Sequence, residues 1–390
     1  MKRTNHLILT AVAAAVLATS WMASPLQAVI PPDPDNAALL YYQAFISLAD
    51  LDKQGRDHIG EVARGTVVAN DKTRQYVEDC KAAIDFADAA RTLEKCDWGF
   101  RYSQGFEGRM PHLAQMRFLA HVLLADARVR ALDGDYKGAL DRCLQMRTFK
   151  RHIGDETLIS FLVGVAVEKL GYERMNDIIG LVAKDAETLR WLQNELAVPE
   201  ARTLSPVAPL KIEKEIAEGL LQMSQRDRLL RALQGPEFQD MAKFYASADE
   251  ATMARARRLY SEYLTSALAI LSAGEPYEQA HRKLANLVMT VDANDPALAI
   301  GRFLTPALGS ILSAKTGAEA SGNATKTGVA VCLQYAEQGR LPQALPGGLP
   351  KDPFSGQDFQ YEKKGSGFIL RCRGKDLTKD KTYEYPFTLK

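Results

Sequence analysis

Histidines come first, because imidazole is the commonest protein ligand for a metal ion. His112 and His121 share one predicted helix. Nine residues of helix turn through about 900°, so the two rings face opposite sides and cannot hold one ion. His58, His152 and His281 stand alone and read as surface or helix-capping residues. His-Glu-x-x-His, Gly-x-Ser-x-Gly and Ser-x-x-Lys do not occur, which removes the common zinc-hydrolase and serine-hydrolase signatures. Gly317 and Gly322 have the spacing of a phosphate-binding loop. Asn323-Ala324 then stands where that loop needs Lys followed by Ser or Thr. The expectation is no metal, no cofactor and no catalytic residue that the sequence can name.

Carboxylates are plentiful, and two of them facing a glycosidic bond can cleave it. Glu213, Glu215 and Glu218 fall on one predicted helix with Lys211 and Lys214. Both signs of charge at these spacings read as a solvated face, and so does the run Arg255, Arg257 and Arg258. The more interesting stretch is aromatic. Trp98, Phe100, Tyr102 and Phe106 come with Arg101, Glu107 and Arg109, interrupted by Gly99, Gly105 and Gly108. Such a segment beside a helical core either lines a groove or closes the core where two helices part. Trp98, Phe100, Arg101, Tyr102, Phe106 and Arg109 are the candidate groove residues.

The elements that must position these residues are nearly all helical. An apolar stripe from Leu113 to Ala131 recurs at steps of three and four, as an amphipathic helix requires. Pro111 suits its first turn. Gly134-Asp135 turns the chain into a return helix from Tyr136 to about His152, and Gly154-Asp155 turns it again. Leu158–Leu170 is apolar nearly all round and reads as the buried helix that the others cover. Asp71–Leu93 reads as one long helix, and Pro209–Leu233 as another. Helices are also expected over 297–314 and 326–338, joined by a small, polar loop over 316–327. After Gly339 the prolines at 342, 346, 350 and 353 exclude helix. Phe359–Tyr361 and Phe368–Leu370 read as a hairpin, with a third strand over Tyr383–Leu389. The expected fold is mainly α: an irregular multi-helix hairpin body with a small C-terminal β element.

Composition agrees with a globular chain, with 46% apolar and 25% charged residues. The formal charge is +1, and removing Lys2 and Arg3 takes it to −1. That balance gives no reason to expect a nucleic-acid partner. Met1-Lys2-Arg3, the apolar run Leu7–Ala18 and the small residues ending at Ala28 have the form of an export signal. Leu7–Met22 is shorter than the roughly 20 residues of a spanning helix, so no stable membrane span is expected after signal cleavage. The expected organisation is a signal peptide over 1–28, a helical body over 29–315, a linker and last helix over 316–340, and a β tail over 341–390. Five cysteines follow the signal: Cys80, Cys96, Cys143, Cys332 and Cys372. An odd number leaves at least one unpaired within the chain. Cys332–Cys372 would tie the last helix to the tail, or all five are small buried apolar residues.

Two resemblances add to this reading. Gly134, Asp135, Tyr136, Ala139 and Leu140 resemble the inter-helix turn of a tetratricopeptide repeat, over one repeat only. Leu349-Pro350-Lys351-Asp352-Pro353-Phe354, Gly356, Phe359 and Tyr361, preceded by Tyr335, Gly339, Leu341 and Pro342, resemble the C-terminal part of type II secretion pseudopilins. A group of uncharacterised exported bacterial proteins joins a helical body to the same ending, and Asp35–Tyr42 and Cys96-Asp97-Trp98 also resemble it. The pseudopilin methylation motif and spine helix are absent, and Arg371–Asp376 replaces the usual continuation, so pilus assembly is not implied. The expectation is an exported helical binding or scaffold protein of the periplasm or cell surface, non-catalytic, with a protein or peptide partner. The alternative is an extracytoplasmic hydrolase using carboxylates on glycan or peptide. A cleft with two buried acids within ~5–10 Å would favour the enzyme.

Overall fold

Fourteen α-helices and one three-stranded antiparallel sheet occur among the described residues. The computed structural model describes residues 33–48, 51–101, 110–200, 204–289 and 299–390. The expected signal peptide over 1–28 and the groove candidates Tyr102, Phe106 and Arg109 lie outside them. Met1–Asp35 segregates as a unit of its own, of which only 33–35 are described. Everything below concerns Asn36–Lys390.

Capping side chains set where the first helices begin. Asn36 accepts the Ala38 N–H at the start of α1 (Ala37–Ser47), and Asp52 accepts the Gly55 N–H at the start of α2 (Lys53–Arg64). Asn70 and Thr73 form a capping box on α3 (Asp71–Asp79). The chain then bends at Cys80, whose φ of −92° and ψ of 7° leave the helical region, and resumes as α4 (Lys81–Arg91). The single helix expected over 71–93 is therefore two. The cause is tertiary: α3 packs on α5 (Pro111–Leu132) while α4 packs on α1, and Cys80 is fully buried where they part.

Gly134, at φ 81°, makes the turn from α5 into α6 (Tyr136–Ile153). Asp135 caps α6 by accepting the Gly138 N–H at 2.9 Å. Helix α7 (Leu158–Ile179) opens with a Thr157–Ser160 capping box and runs nine residues past Leu170. It is the bridge of the fold. Phe161 and Val165 belong to one apolar cluster, and Val167, Met175 and Ile179 to the other. The first cluster contains α1–α6, α8 (Ala186–Ala197) and the sheet. The second contains α9 (Val207–Leu220), α10 (Arg226–Ala232), α11 (Gln239–Ser247), α12 (Glu250–Ser272) and part of α13 (Tyr277–Met289). The long helix expected over 209–233 breaks after Leu220 and resumes as α10.

The loop expected over 316–327 is helix. It lies inside α14 (Ala299–Gln338), so the two last helices are one and there is no linker. Small residues are present for close approach rather than for a loop. Gly322 faces the ring of Tyr172, Gly328 faces Phe387, and a side chain at either would press on those rings. Ser321 and Thr325 donate back to the carbonyls of Gly317 and Ser321, and Thr325 also reaches Asn176 on α7. Packing outweighs the weak helix propensity of Gly, Ser and Thr here.

The tail forms β1 (Gln360–Lys364), β2 (Gly367–Arg371) and β3 (Glu384–Phe387), in the order β1-β2-β3. Lys364 pairs with Gly367, and Phe368 pairs with Phe387. Two buried aspartates fix the loops around the sheet. Asp352 accepts the N–H groups of Phe354, Arg373 and Gly374. Asp376 accepts the hydroxyls of Ser313 on α14, Tyr277 on α13 and Tyr383. Burial opposes its ionisation, but these donors hold its carboxyl below the usual range. The tail is thereby locked onto the helices. All five cysteines are free thiols, and Cys332 and Cys372 are both buried.

Candidate functional site

A cleft of about 690 Å³ lies between α6, α7, the end of α8 and α14. That volume is ordinary for a ligand pocket. Its charged lining comes from Arg147 and Lys150 of α6, Glu168 of α7, Glu200 beyond α8, and Lys315, Glu319 and Lys326 of α14, of which Lys315 and Glu319 pair at 3.9 Å. Phe161, Val165, Leu196 and Leu204 supply apolar wall.

Lys150 is the hinge of the charge arrangement. Its ammonium donates to Glu168 at 2.9 Å and to Glu200 at 3.0 Å. Gly164 lets the Lys150 backbone come close to α7, since an added methyl would lie 3.2 Å from the Lys150 carbonyl. Tyr172, one turn after Glu168, donates its hydroxyl to the same carboxyl at 3.5 Å. Both carboxyls thus share the Lys150 ammonium. Burial pushes Glu168 up to about 7 against the pull of Lys150, and the neighbouring Glu200 adds to the rise. Glu200 is less buried, and Lys150 holds it below the usual carboxylate range. Burial thus favours the protonated form of Glu168, and Lys150 the ionised form of Glu200.

Arg147 fixes the strand of chain that carries Glu200. Its guanidinium donates to the carbonyls of Glu195 at 3.0 Å and Val198 at 2.8 Å, at the C-terminus of α8. Lys326 differs from the other cations. It is half-buried, and it makes no hydrogen bond or ion pair with a described residue. Burial and the nearby Arg147 charge lower its pKa against the opposing pull of Glu200 and Glu168.

The candidate groove stands elsewhere. Trp98 is closed into the core. Its indole N–H donates to the His152 carbonyl at 2.7 Å, and its ring stacks on His112 at 4.4 Å. Phe100 is half-buried and Arg101 exposed. Tyr102, Phe106 and Arg109 are among the residues not described. His152 is not a surface residue: it is 1% exposed, bonded to Tyr41 and to the Leu93 carbonyl. Glu213 is not on a solvated face either. It turns inward, accepts the Leu158 N–H at 3.3 Å, and is pushed up to about 7 by burial. Both errors have one source, since helical spacing gives a face but not what covers it.

Sequence reasoning missed the cleft. Glu168 was the available signal: an acid inside an otherwise apolar helix needs a buried cation. Glu168 and Glu200 are 18 and 50 residues from Lys150, which joins them, and no local pattern connects the three. Among the described residues, no group of three or more His, Cys, Asp and Glu could hold a metal ion, and no helix is long and apolar enough to cross a membrane. No family model matches the chain, and no curated protein or solved structure matches it.

Proposed function

We propose that the protein is an exported binding protein of the periplasm or cell surface, and that its cleft takes a short peptide segment through an acidic group. The observation that carries this reading is Lys326: a half-buried ammonium with no hydrogen bond or ion pair to a described residue, lining an open cleft. A carboxylate of the ligand supplies a direct partner for this ammonium, and the apolar walls take the adjoining side chain. Lys150, Glu168 and Glu200 neutralise one another and hold the wall. Short peptides with free or amidated C-termini, with and without Asp or Glu, test it by equilibrium dialysis. Acidic peptides should be retained by the wild type and released by Lys326→Ala. Equal retention by both proteins would sink the proposal. Export is tested by fractionating cells: a chain that keeps Met1–Ala28 in the cytoplasm contradicts it.

One observation favours a second reading. Glu168 is pushed up and Glu200 held down beside the same Lys150 ammonium, and a carboxyl pair whose proton affinities are driven apart can act as acid and base in peptide hydrolysis. Lys150 weighs against it, because an ammonium already bonded to both acids occupies the place of the reacting group. Incubation with an unfolded protein, followed by mass spectrometry of the products, separates the two. Cleavage by the wild type that disappears in Glu200→Gln would establish the hydrolase.

A further inference from the structure

A second cavity, about 580 Å³, opens on the opposite side of α7. Its floor is one apolar face of that helix. Ile159, Leu162, Val163, Ala166 and Leu170 follow one another at helical spacing. Ile159 is 57% exposed, unusual for a large apolar residue on a helix most of whose residues are buried. From Ile159 to Leu170 the strip is about 16 Å long. Its rim is basic. Arg64 comes from α2, Arg117 and His121 from α5, Lys169 from α7 and Lys379 from the tail, with Glu173 as the one acid in the lining.

The rim charges are not equally satisfied. Glu173 pairs with Lys169 at 3.8 Å, and Lys379 reaches the Tyr383 hydroxyl at 3.2 Å and Asp376 at 3.9 Å. Arg64 and Arg117 make no hydrogen bond or ion pair with a described residue. They flank His121 closely enough that, with burial, their charges push its imidazole down to about 4, so it is neutral near pH 7. The site thus joins two open guanidiniums, a neutral imidazole and a narrow apolar strip. A carboxylate suits the guanidiniums, since planar N–H forks bind planar carboxylates. An unbranched chain suits the strip, which is one helix face wide.

We infer that this cavity binds a single-chain fatty acid, its carboxylate between Arg64 and Arg117 and its acyl chain along the apolar face of α7. The site is distinct from the cleft that holds Lys326, and neither reading depends on the other.

Dodecanoate is the probe, titrated calorimetrically against the full chain below its micelle concentration. Each CH₂ laid on the strip should strengthen binding about two- to fourfold, so octanoate should bind more weakly. Dodecanol has the chain without the charge and should bind at least tenfold more weakly. Arg64→Ala and Arg117→Ala should each weaken dodecanoate about three- to tenfold, a modest loss because both side chains are solvent-exposed. Both substitutions sit on the surface and leave the core intact, and neither touches Lys326. The proposal is overturned if dodecanoate does not bind, if dodecanol binds as tightly, or if the double variant binds like the wild type. Sedimentation with phosphatidylglycerol vesicles without binding of monomeric dodecanoate would also overturn it, and would make the rim a membrane contact instead.

Discussion

The carboxyl of Glu213 on α9 accepts the backbone N–H of Leu158, the first residue of α7, at 3.3 Å. The bond joins the second apolar cluster to the helix that bridges both. An acid at a helix N-terminus is well placed for the dipole, yet burial wins here and pushes Glu213 up to about 7, with the Leu158 N–H pulling the other way.

A sign follows from that shift. The folded chain holds this proton more tightly than the unfolded chain, whose carboxyl titrates near 4.5. Stability from this group is intact below about pH 4.5, falls as pH rises towards 7, and is level beyond. Glu213→Gln removes the titration while keeping an acceptor for Leu158. It should leave stability unchanged at pH 4.5 and raise it by on the order of 1–2 kcal/mol at pH 8. Urea unfolding at the two pH values checks this, and an equal effect at both would contradict it.

Lys150 is the only described cation bonded to both Glu168 and Glu200. Lys150→Met keeps most of the side-chain volume and removes the ammonium. Glu168 and Glu200 are then left facing each other in a partly buried wall. Breaking one partner out of such a group costs about 3–5 kcal/mol, and protonation of Glu168 returns part of it. The variant should therefore unfold at clearly lower urea concentration at pH 8 and recover towards pH 5. A pH-independent loss would mean that packing of the lysine stem, not its charge, is what matters.

How much of this was legible beforehand depends on the range of the cause. The α5–α6 hairpin was readable because its determinants are local: Gly134 at positive φ, Asp135 as cap, and Ala139 and Leu140 buried behind them. The β1–β2 hairpin and the third strand were readable for the same reason. The bend at Cys80 was not, because nothing in Asp79-Cys80-Lys81 breaks a helix; the neighbours of α3 and α4 do. The segment 316–327 misled because its small residues have two uses. Glycine and serine loosen an isolated helix, but against Tyr172 and Phe387 they allow it to sit close. The cleft was illegible because its charges meet only in the fold. Of the aromatic groove, Trp98 turns out to be core, held by Tyr41, His112 and the His152 carbonyl.

The same double use of glycine makes a prediction on the central helix pair. Gly171 lies inside α7, where alanine ordinarily improves a helix by about 1 kcal/mol. Here an added methyl would lie 2.7 Å from Met146 Cβ and 2.9 Å from the Cys143 carbonyl oxygen on α6. Neither atom can move without shifting α6. Overpacking of this kind costs about 1–3 kcal/mol, so Gly171→Ala should destabilise despite its better propensity. Gly219→Ala on α9, where nothing stands in the way of a methyl, should do the opposite. Thermal melts of the two variants decide the matter, and a Gly171→Ala protein more stable than the wild type would show that α6 and α7 are not in close contact there.

Acid should unfold this protein earlier than its carboxylates alone would require. His112 and His152 are buried, and burial pushes each down to about 4. The unfolded chain binds these protons near pH 6.5 and the folded chain does not, so stability falls as pH drops from 6.5 towards 4. The Nε2 of His152 faces the Leu93 carbonyl at 2.9 Å and must carry the proton, which leaves Nδ1 to accept the Tyr41 hydroxyl at 2.9 Å. Protonating Nδ1 would put two donors against each other. His112 is the cleaner place to test the sign, because its ring stacks on Trp98 at an interplanar angle of 13° and a phenyl ring can do the same. His112→Phe should match the wild type at pH 7 and exceed it at pH 4.5 by on the order of 2 kcal/mol. Melting temperatures at the two pH values measure the difference, and a variant that loses as much stability as the wild type on acidification would rule out His112 as a source of the acid sensitivity.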